Sequence, residues 1–148
     1  MSYKIFIDGK EGTTGLKIFE RFANRTDLEI ITIDEEKRKD PVEKAKMINA
    51  SDYTFLCLPD AAAIESAQLC TNPKTKIIDA STAHRTNSAW AYGFPELDKS
   101  FREKIETSNR IAVPGCYASG TIAILYPLVK SGIMPKDYPV NVHAVSGY

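Results

Sequence analysis

The sequence has no excess of charge of either sign and no long apolar run. Its 19 Lys and Arg residues balance 19 Asp and Glu residues, whereas proteins that bind nucleic acid or membrane surfaces carry a cationic excess that meets phosphate. No apolar run approaches the roughly 20 residues that span a bilayer, and the N-terminal apolar stretch is too short for a signal peptide. The sequence therefore predicts a cytoplasmic globular protein that binds neither nucleic acid nor a membrane.

Residues that hold metals or form disulfides are also scarce. Only three cysteines and two histidines are present, and no two cysteines form a C-x-x-C pair. This spacing argues against a disulfide framework and against a structural zinc site, so we expect no metal. The chain also lacks the G-x-S-x-G turn of serine hydrolases and the Gly-Lys-Ser/Thr ending of a P-loop.

Short apolar strands alternate with helices along the chain. Strands are predicted over residues 3–8, 28–34, 53–58, 76–79, 110–113 and 140–145, and helices over 14–24, from 41 onward, and over 61–69, 99–108 and 117–130. This order is typical of an α/β protein with a doubly wound, mostly parallel Rossmann-type sheet. We expect a dinucleotide-binding domain at 1–115, followed at 116–148 by the nucleophile helix and first strand of a truncated second, α+β domain. Asp60 is placed to cap the third helix, and residues 80–97 read as a polar functional loop.

The first turn from strand to helix carries glycines spaced G-x-x-G-x-x-G. They are Gly9, Gly12 and Gly15, with Thr13 and Thr14 before the last. Glycines at such a turn let the backbone approach a pyrophosphate, whose charge the N–H groups of the helix N-terminus then meet. The pattern favours dinucleotide binding; the alternative is that the glycines serve only a tight turn.

The residues after the second predicted strand bear on the choice of cofactor. Asp34 stands 19 residues after Gly15, where a carboxylate can bond the ribose 2′-hydroxyl of NAD. Lys37, Arg38 and Lys39 follow closely and can meet the 2′-phosphate of NADP. The run can also be a solvated charged loop, so these residue types alone leave NAD and NADP both open.

Cys116 is the strongest single indication of chemistry. It follows Pro-Gly at the start of a predicted helix, where the helix dipole and free N–H groups stabilise a thiolate. The alternative is an inert buried cysteine, which is what we expect of Cys57 and Cys70. Arg85 follows the fourth strand at the ligand-binding edge of the sheet, where it can bind an anionic group or form a surface ion pair.

Two further features have ordinary structural interpretations. His84 and His143 are each expected to be hydrogen-bonded histidines rather than catalytic ones. Tyr126 and Lys130 fit the Y-x-x-x-K pattern of short-chain dehydrogenases, but the intervening segment begins with a proline and lies in the helix after Cys116. We therefore assign this pair to helix packing.

Six short runs are specific in combination. They are FIDGKEGTTG at 6–15, CLPD at 57–60, IDASTAHRT at 78–86, YGFPEL at 92–97, PGCYA at 114–118 and HAVSGY at 143–148. Together they resemble the first half of N-acetyl-gamma-glutamyl-phosphate reductase in its shorter form. The chain ends in Ser-Gly-Tyr, which looks like the start of another loop, so we expect the native protein to continue.

The resemblance implies an arginine-biosynthesis enzyme that uses NADPH to reduce N-acetyl-glutamyl 5-phosphate, an acyl phosphate, to the 5-semialdehyde. Cys116 would form the thioester, and Arg85 would bind the substrate phosphate. The glycine turn would hold the cofactor, together with Pro59, Ser81, Ser146 and Gly147. The catalytic histidine of that family lies beyond Tyr148, so we expect the chain alone to be inactive and the full-length protein to be a homo-oligomer. An aspartate-semialdehyde-type dehydrogenase and a non-catalytic nucleotide-binding module are the alternatives.

Overall fold

A six-stranded sheet with helices between its strands forms the molecule, and the computed structural model describes residues 2–145 of it. The strands are β1 (Tyr3–Asp8), β2 (Leu28–Ile31), β3 (Tyr53–Leu56), β4 (Lys76–Asp79), β5 (Ala91–Tyr92) and β6 (Arg110–Ala112). The helices are α1 (Thr13–Phe22), α2 (Pro41–Ala50), α3 (Asp60–Gln68), α4 (Lys99–Thr107) and α5 (Cys116–Lys130), with one 3₁₀ turn at Glu35–Lys37.

The strand order is β2-β1-β3-β4-β6-β5, and every pairing among residues 2–145 is parallel. The chain first moves outward from β1 to β2 and then crosses back to β3 on the other side of β1. Neighbouring connections therefore diverge at β1 and β3, and such a switch point opens a ligand crevice at the carboxyl ends of these strands. The predicted doubly wound α/β fold is confirmed.

The core lies between the sheet and its covering helices. Phe6, Leu56 and Ile77 on three adjacent strands are buried almost completely, and Ile48 of α2 covers the sheet. The only tryptophan, Trp90, packs into the same core from the segment before β5. Apolar strands that are covered by helices on their faces read as continuous hydrophobic runs, which is why the strand positions were predictable.

Three strands end earlier than predicted: β2 by three residues, β3 by two and β6 by one. The ladder between β1 and β2 closes at the pair Phe6 and Ile31, and the chain then leaves the sheet for the 3₁₀ turn that begins after Asp34. β3 ends at Leu56 rather than at residue 58, because the chain turns toward Pro59, which has no N–H to donate. The apolar composition of a run does not reveal where its partner strand stops.

The strand predicted over 140–145 is wrong. Val142 and Val145 are exposed, and the segment pairs with no strand within residues 2–145. A β-branched run forms a strand only where a neighbour takes up its backbone hydrogen bonds, and the described part of the chain offers none there. Conversely, the predicted loop at 80–97 contains the two-residue strand β5, which pairs with β6.

The prediction that Asp60 caps α3 is also wrong. Pro59 occupies the N-cap position, and Asp60 is the first residue of the helix. Its carboxylate instead accepts a hydrogen bond from the Thr82 backbone N–H at 2.9 Å and another from the Thr82 hydroxyl. These bonds hold the pKa of Asp60 below its usual value. Asp60 therefore joins α3 to the loop that follows β4.

Candidate functional site

Most of the predicted site residues lie along one edge of the sheet. Because all described pairings are parallel, the carboxyl ends of the strands point the same way. Gly9 follows β1, Asp34 lies beyond β2, Pro59 follows β3, Ser81 follows β4 and Cys116 follows β6. The fold thus collects on one edge residues that are far apart in sequence, as open α/β sheets do at their ligand sites.

Two glycines of the first turn are required by the turn itself. Gly9 has φ of +86°, and a Cβ there would lie 2.3 Å from the Cys57 carbonyl oxygen. A Cβ on Gly15 would lie 2.3 Å from the Gly9 carbonyl oxygen. Both distances are far below van der Waals contact, so these glycines let β1, β3 and α1 come together.

Gly12 differs from the other two glycines. A Cβ there would meet the Gly9 carbonyl oxygen at 3.5 Å, an ordinary contact. Gly12 is the N-cap of α1, and no side chain in the described part of the molecule caps it. Exposed Thr13 and Thr14 form the first turn of the helix. The fold tolerates a side chain at Gly12, so its absence leaves a helix N-terminus open to an anion.

A cavity of about 470 Å³ lies beside this turn, between the ends of β1 and β2. Gly9, Asp34 and Arg38 line it, and so do Lys39 and Lys44. The other predicted cofactor-binding residues of the described chain lie outside its lining: Gly12, Thr13, Thr14, Gly15, Lys37, Pro59 and Ser81. Ser146 and Gly147 lie outside the described residues.

The charges of the cavity wall are mixed. Asp34 stands near Arg38 and Lys39, and Arg38 forms an exposed ion pair with Glu35 at 3.3 Å. A carboxylate can accept ribose hydroxyls, and the two cations can meet a phosphate. The wall therefore carries both the carboxylate and the cations that the sequence analysis considered for the cofactor, and it leaves NAD and NADP both open.

Lys44 was not predicted as part of this site. Its Nζ lies 3.0 Å from an oxygen of Asp8, which also accepts a hydrogen bond from the Ser66 hydroxyl at 2.8 Å. Asp8 and Ser66 are buried. A buried carboxylate needs a charged or hydrogen-bonding partner. The position of Asp8 at the end of an apolar strand therefore indicated that such a partner exists.

A second buried carboxylate organises the loop after β4. Asp79 accepts hydrogen bonds from the Ser81 backbone N–H at 2.9 Å and the Ser81 hydroxyl at 2.8 Å. His84 Nδ1 lies 2.6 Å from the same carboxylate, and its ring stacks on Trp90 at 3.9 Å. His84 is thus the hydrogen-bonded histidine that the sequence analysis expected.

Arg85 joins the ends of two strands. Its Nε donates to the Val113 carbonyl at 3.0 Å, and Nη2 donates to the Ala80 carbonyl at 3.2 Å. Val113 follows β6 and Ala80 follows β4, so the guanidinium spans the gap between these neighbouring strands. It lies next to Gly115, directly before Cys116.

Cys116 is the first residue of α5 and is exposed, whereas Cys57 and Cys70 are partly buried. Burial and the nearby carboxylates of Asp8 and Asp79 raise the pKa of Cys57 to about 11. Cys57 is therefore a protonated, poorly nucleophilic thiol at neutral pH. Of the three cysteines, Cys116 has the accessibility that a nucleophile needs.

An open depression of about 530 Å³ borders Cys116. Gly120 and Thr121, one turn along α5, line it, and His143 lies on its other side. Tyr117, Ile124 and Leu125 of the same helix also line it, so the small residues lie at its centre among larger ones along α5. A small acyl group therefore has room to reach the thiol.

Tyr126 and Lys130 act in helix packing, as predicted. The Tyr126 hydroxyl and the Lys130 ammonium, the latter at 2.6 Å, both donate to the carboxylate of Asp98. Asp98 caps α4 by accepting from the Ser100 backbone N–H at 2.7 Å. These bonds hold the pKa of Asp98 well below its usual range and raise that of Tyr126. The pair fastens α5 to the start of α4.

The fold agrees with what known proteins show. Residues 31–108, more than half of the chain, match the family described as the semialdehyde dehydrogenase NAD-binding domain. The chain belongs to this family. The match supports a nicotinamide nucleotide as the cofactor, as predicted. Among residues 2–145, no helix is both long and apolar enough to cross a membrane.

Curated relatives match the chain almost from end to end. N-acetyl-gamma-glutamyl-phosphate reductase 2 of Pseudomonas putida is 53% identical over 97% of this chain and 46% of its own length. N-acetyl-gamma-glutamyl-phosphate reductase of Mesorhizobium japonicum is 55% identical over 100% of this chain and 48% of its own. These matches confirm the resemblance drawn from the motifs. The chain spans about half the length of these relatives.

Solved structures agree in fold. Aspartate semialdehyde dehydrogenase II of Vibrio cholerae aligns with a TM-score of 0.64 at 14% identity, covering 88% of this chain and 43% of its own. Aspartate semialdehyde dehydrogenase of Francisella tularensis aligns with a TM-score of 0.63 at 14% identity, covering 88% and 41%. At this identity the likeness shows the semialdehyde dehydrogenase fold alone.

Proposed function

We propose that the chain is the cofactor-binding half of a cytoplasmic, NADPH-dependent N-acetyl-gamma-glutamyl-phosphate reductase. The protein would reduce N-acetyl-glutamyl 5-phosphate to N-acetyl-glutamate 5-semialdehyde, with release of phosphate, in arginine biosynthesis. The observation that carries this proposal is identity of 53% and 55% to reductases of that name over almost the whole chain. It is far above the 14% identity to the aspartate semialdehyde dehydrogenases.

The N-terminus of α1 is where the cofactor pyrophosphate would bind. Gly12 leaves this end open, while Gly9 and Gly15 hold the turn in place. Unpaired N–H groups and the helix dipole attract a doubly charged group without a side-chain cation. The described residues therefore fit a dinucleotide at this end of the sheet.

The cavity beside the turn would hold the adenosine end. Asp34 is placed to accept a ribose hydroxyl, and Arg38 and Lys39 are placed to meet a 2′-phosphate. Because NAD has no charge at that position, two cations in the wall favour NADPH. Lys37 lies outside the lining, so we assign it at most a long-range electrostatic contribution.

Cys116 would carry the covalent step. Its sulfur would attack the acyl carbon of the substrate, the bond to phosphate would break, and a thioester to Cys116 would result. NADPH, when bound, supplies the hydride that converts this thioester to the aldehyde and returns the thiolate. The exposed position of Cys116 at a helix N-terminus, beside an open depression, supports this role.

The relatives are about twice as long as this chain. We therefore expect the remaining half of the full-length protein to contribute the acid–base group and most of the substrate site. The 148-residue chain should bind NADPH and present a reactive Cys116 without turning over substrate. The full-length protein is expected to be a homo-oligomer.

Fluorescence titration with NADPH and, separately, with NADH tests this proposal, with the Tm measured in parallel. NADPH should bind saturably, raise the Tm, and bind at least about tenfold more tightly than NADH, the equivalent of one charge-assisted contact. Failure of NADPH to bind, or equal affinity for both nucleotides, would contradict the assignment.

Two N-cap substitutions locate the binding. Gly12→Ala should lower NADPH affinity by about tenfold with little change in Tm, because its Cβ makes only an ordinary contact within the protein. Asp98→Ala removes the cap of α4 and should lower the Tm while leaving NADPH affinity unchanged. A lower Tm with unchanged NADPH affinity in Gly12→Ala would show that the glycine turn is purely structural.

A further inference from the structure

The cavity beside the glycine turn has a buried ion pair in its wall. Asp8 and Lys44 both line the cavity, and their side chains are only 8% and 16% exposed. The side chain of Arg38, in the other charged part of the wall, is 51% exposed. The cavity therefore has two polar regions, a covered one at Asp8 and Lys44 and an open one at Arg38.

Asp8 leaves one of its two carboxylate oxygens unused within the protein. Oδ2 lies 3.0 Å from Lys44 Nζ and accepts from the Ser66 hydroxyl at 2.8 Å. Oδ1 has no hydrogen-bond partner among residues 2–145. Every fully buried side-chain oxygen or nitrogen in this part of the chain has a partner, so Oδ1 is not enclosed. Because Asp8 lines the cavity, Oδ1 is an acceptor available to a ligand there.

Lys44 supplies donors beside that acceptor. An ammonium has three N–H groups, and within residues 2–145 the Lys44 ammonium contacts one polar partner, the Asp8 carboxylate. At least two of its donors are therefore left. Because the charges of Lys44 and Asp8 balance, the pair offers a donor and an acceptor without a net charge. Such a pair suits a neutral polar group better than a phosphate.

Much of the remaining wall suits a flat ring. Apolar side chains contribute to it, among them Phe6, Ile7, Phe19, Ile30, Ile33 and Leu58. Ligand pockets bind rings through apolar contacts of this kind and fix their orientation through a few polar groups. An aromatic base with a donor and an acceptor on one edge therefore matches both parts of the wall.

We infer that the Asp8–Lys44 pair recognises the polar edge of the adenine base of the cofactor. Adenine carries an amino group, which donates, next to a ring nitrogen, which accepts. The free oxygen of Asp8 and the free N–H groups of Lys44 complement this edge. The inference rests on the proposed function, which places the adenosine end in this cavity and assigns its ribose to Asp34.

Fluorescence titration of the 148-residue chain with NADPH and with deamino-NADPH, in which hypoxanthine replaces adenine, tests the inference. The analogue carries an oxygen acceptor where adenine has its amino donor, so it cannot donate to Asp8 from that position. NADPH should bind at least about tenfold more tightly, since a polar contact in a covered site is left unmet. Equal affinity for the two nucleotides overturns the inference and leaves the proposed function intact. Failure of both to bind overturns the proposed function and the inference with it.

Asp8→Asn assigns the preference to the ion pair. An asparagine side chain can offer an N–H group where the carboxylate has only acceptors, so the affinity ratio of NADPH to the analogue should fall below about threefold. If Asp8→Asn does not fold, the double variant Asp8→Asn with Lys44→Met, which has neither charge, should show the same fall. A wild-type ratio in the folded variant overturns the inference.

Ser66→Ala is the matched control. It removes a hydrogen bond to the same Asp8 carboxylate, but Ser66 lies outside the lining of the cavity. The Tm should fall, while NADPH should keep its preference over the analogue. If Ser66→Ala lowers the affinity ratio as much as Asp8→Asn does, the ratio reports a general loosening around Asp8, and that result also overturns the inference.

Discussion

The part of the chain before Cys116 and the part from Cys116 onward are built differently. The first part buries its strands and satisfies its buried carboxylates, Asp8 and Asp79, with several partners each. In the second part, within residues 116–145, no side chain is fully buried, and Ile124 and Val142 are more than half exposed. Stability therefore resides in the part before Cys116, whereas the proposed nucleophile lies on a helix that few contacts hold.

Those few contacts are specific. Arg85 packs against Gly115 at the start of α5, and Asp98 receives Tyr126 and Lys130 near its end. Helix α5 is therefore positioned by polar groups at its two ends and by the edge-to-face contact of Tyr126 with Phe101, rather than by a fully buried core. Substitutions in the two parts should accordingly differ in size and in kind.

The largest contrast is expected between apolar truncations. Leu56 has 0% exposure in the core cluster, and Ile124 has 65%. Leu56→Ala should lower the free energy of unfolding by about 2–5 kcal/mol, since it leaves a cavity. Ile124→Ala should change it by no more than about 0.5 kcal/mol. Urea titration measures both, and comparable losses would contradict the division of stability.

A smaller effect is expected at the buried ion pair. Lys44→Met leaves the Asp8 carboxylate without its cation, and we expect a loss of about 1–3 kcal/mol in unfolding free energy, as for an unpaired buried polar group. The double variant Asp8→Asn with Lys44→Met removes both charges and should recover part of that loss. If the double variant loses as much as Asp8→Asn and Lys44→Met lose in sum, or more, the pair is not coupled as described.

The smallest effect is expected at the exposed Asp98 cluster, and it should depend on pH. The pKa of Asp98 is lowered in the folded protein, chiefly by Lys130, Ser100 and Tyr126. Its contribution is therefore present above the unfolded pKa of roughly 3.9 and is lost as the pH falls toward the folded value. Asp98→Asn should have a slightly lower Tm than wild type at pH 7, and the difference should shrink steadily once the pH falls below the unfolded pKa. A Tm difference that does not change as the pH is lowered would contradict the lowered pKa of Asp98.

Much of the fold could be predicted from local sequence patterns. Covered parallel strands such as Tyr3–Asp8 and Lys76–Asp79 have apolar centres, and their predicted bounds match the structure. The other helices and strands, apart from the early ends of β2 and β3, agree to within two residues. The strand prediction over residues 140–145 was wrong because a strand needs a neighbouring strand, and a local sequence pattern does not show whether one is present.

Less of the candidate site than of the fold could be predicted from the sequence. The positions of Gly9, Asp34 and Cys116 followed from topology, since parallel strands bring their carboxyl ends together. The hydrogen-bond partners of Arg85 could not be predicted, because they are backbone carbonyls, which every residue has. Lys44 was missed for a related reason: its partner Asp8 is 36 positions away and meets it only after α2 crosses β1.

Hydrogen–deuterium exchange of the 148-residue chain, with and without NADPH, tests the central claim most directly. The account predicts slower exchange in the peptides that contain residues 9–15 and 34–39 when NADPH is added, because these segments form the glycine turn and the cavity wall. Peptides from α4, which contributes no residue to the cavity wall, should exchange at the same rate. Unchanged exchange at 9–15 under saturating NADPH would contradict the claim that this turn holds the cofactor.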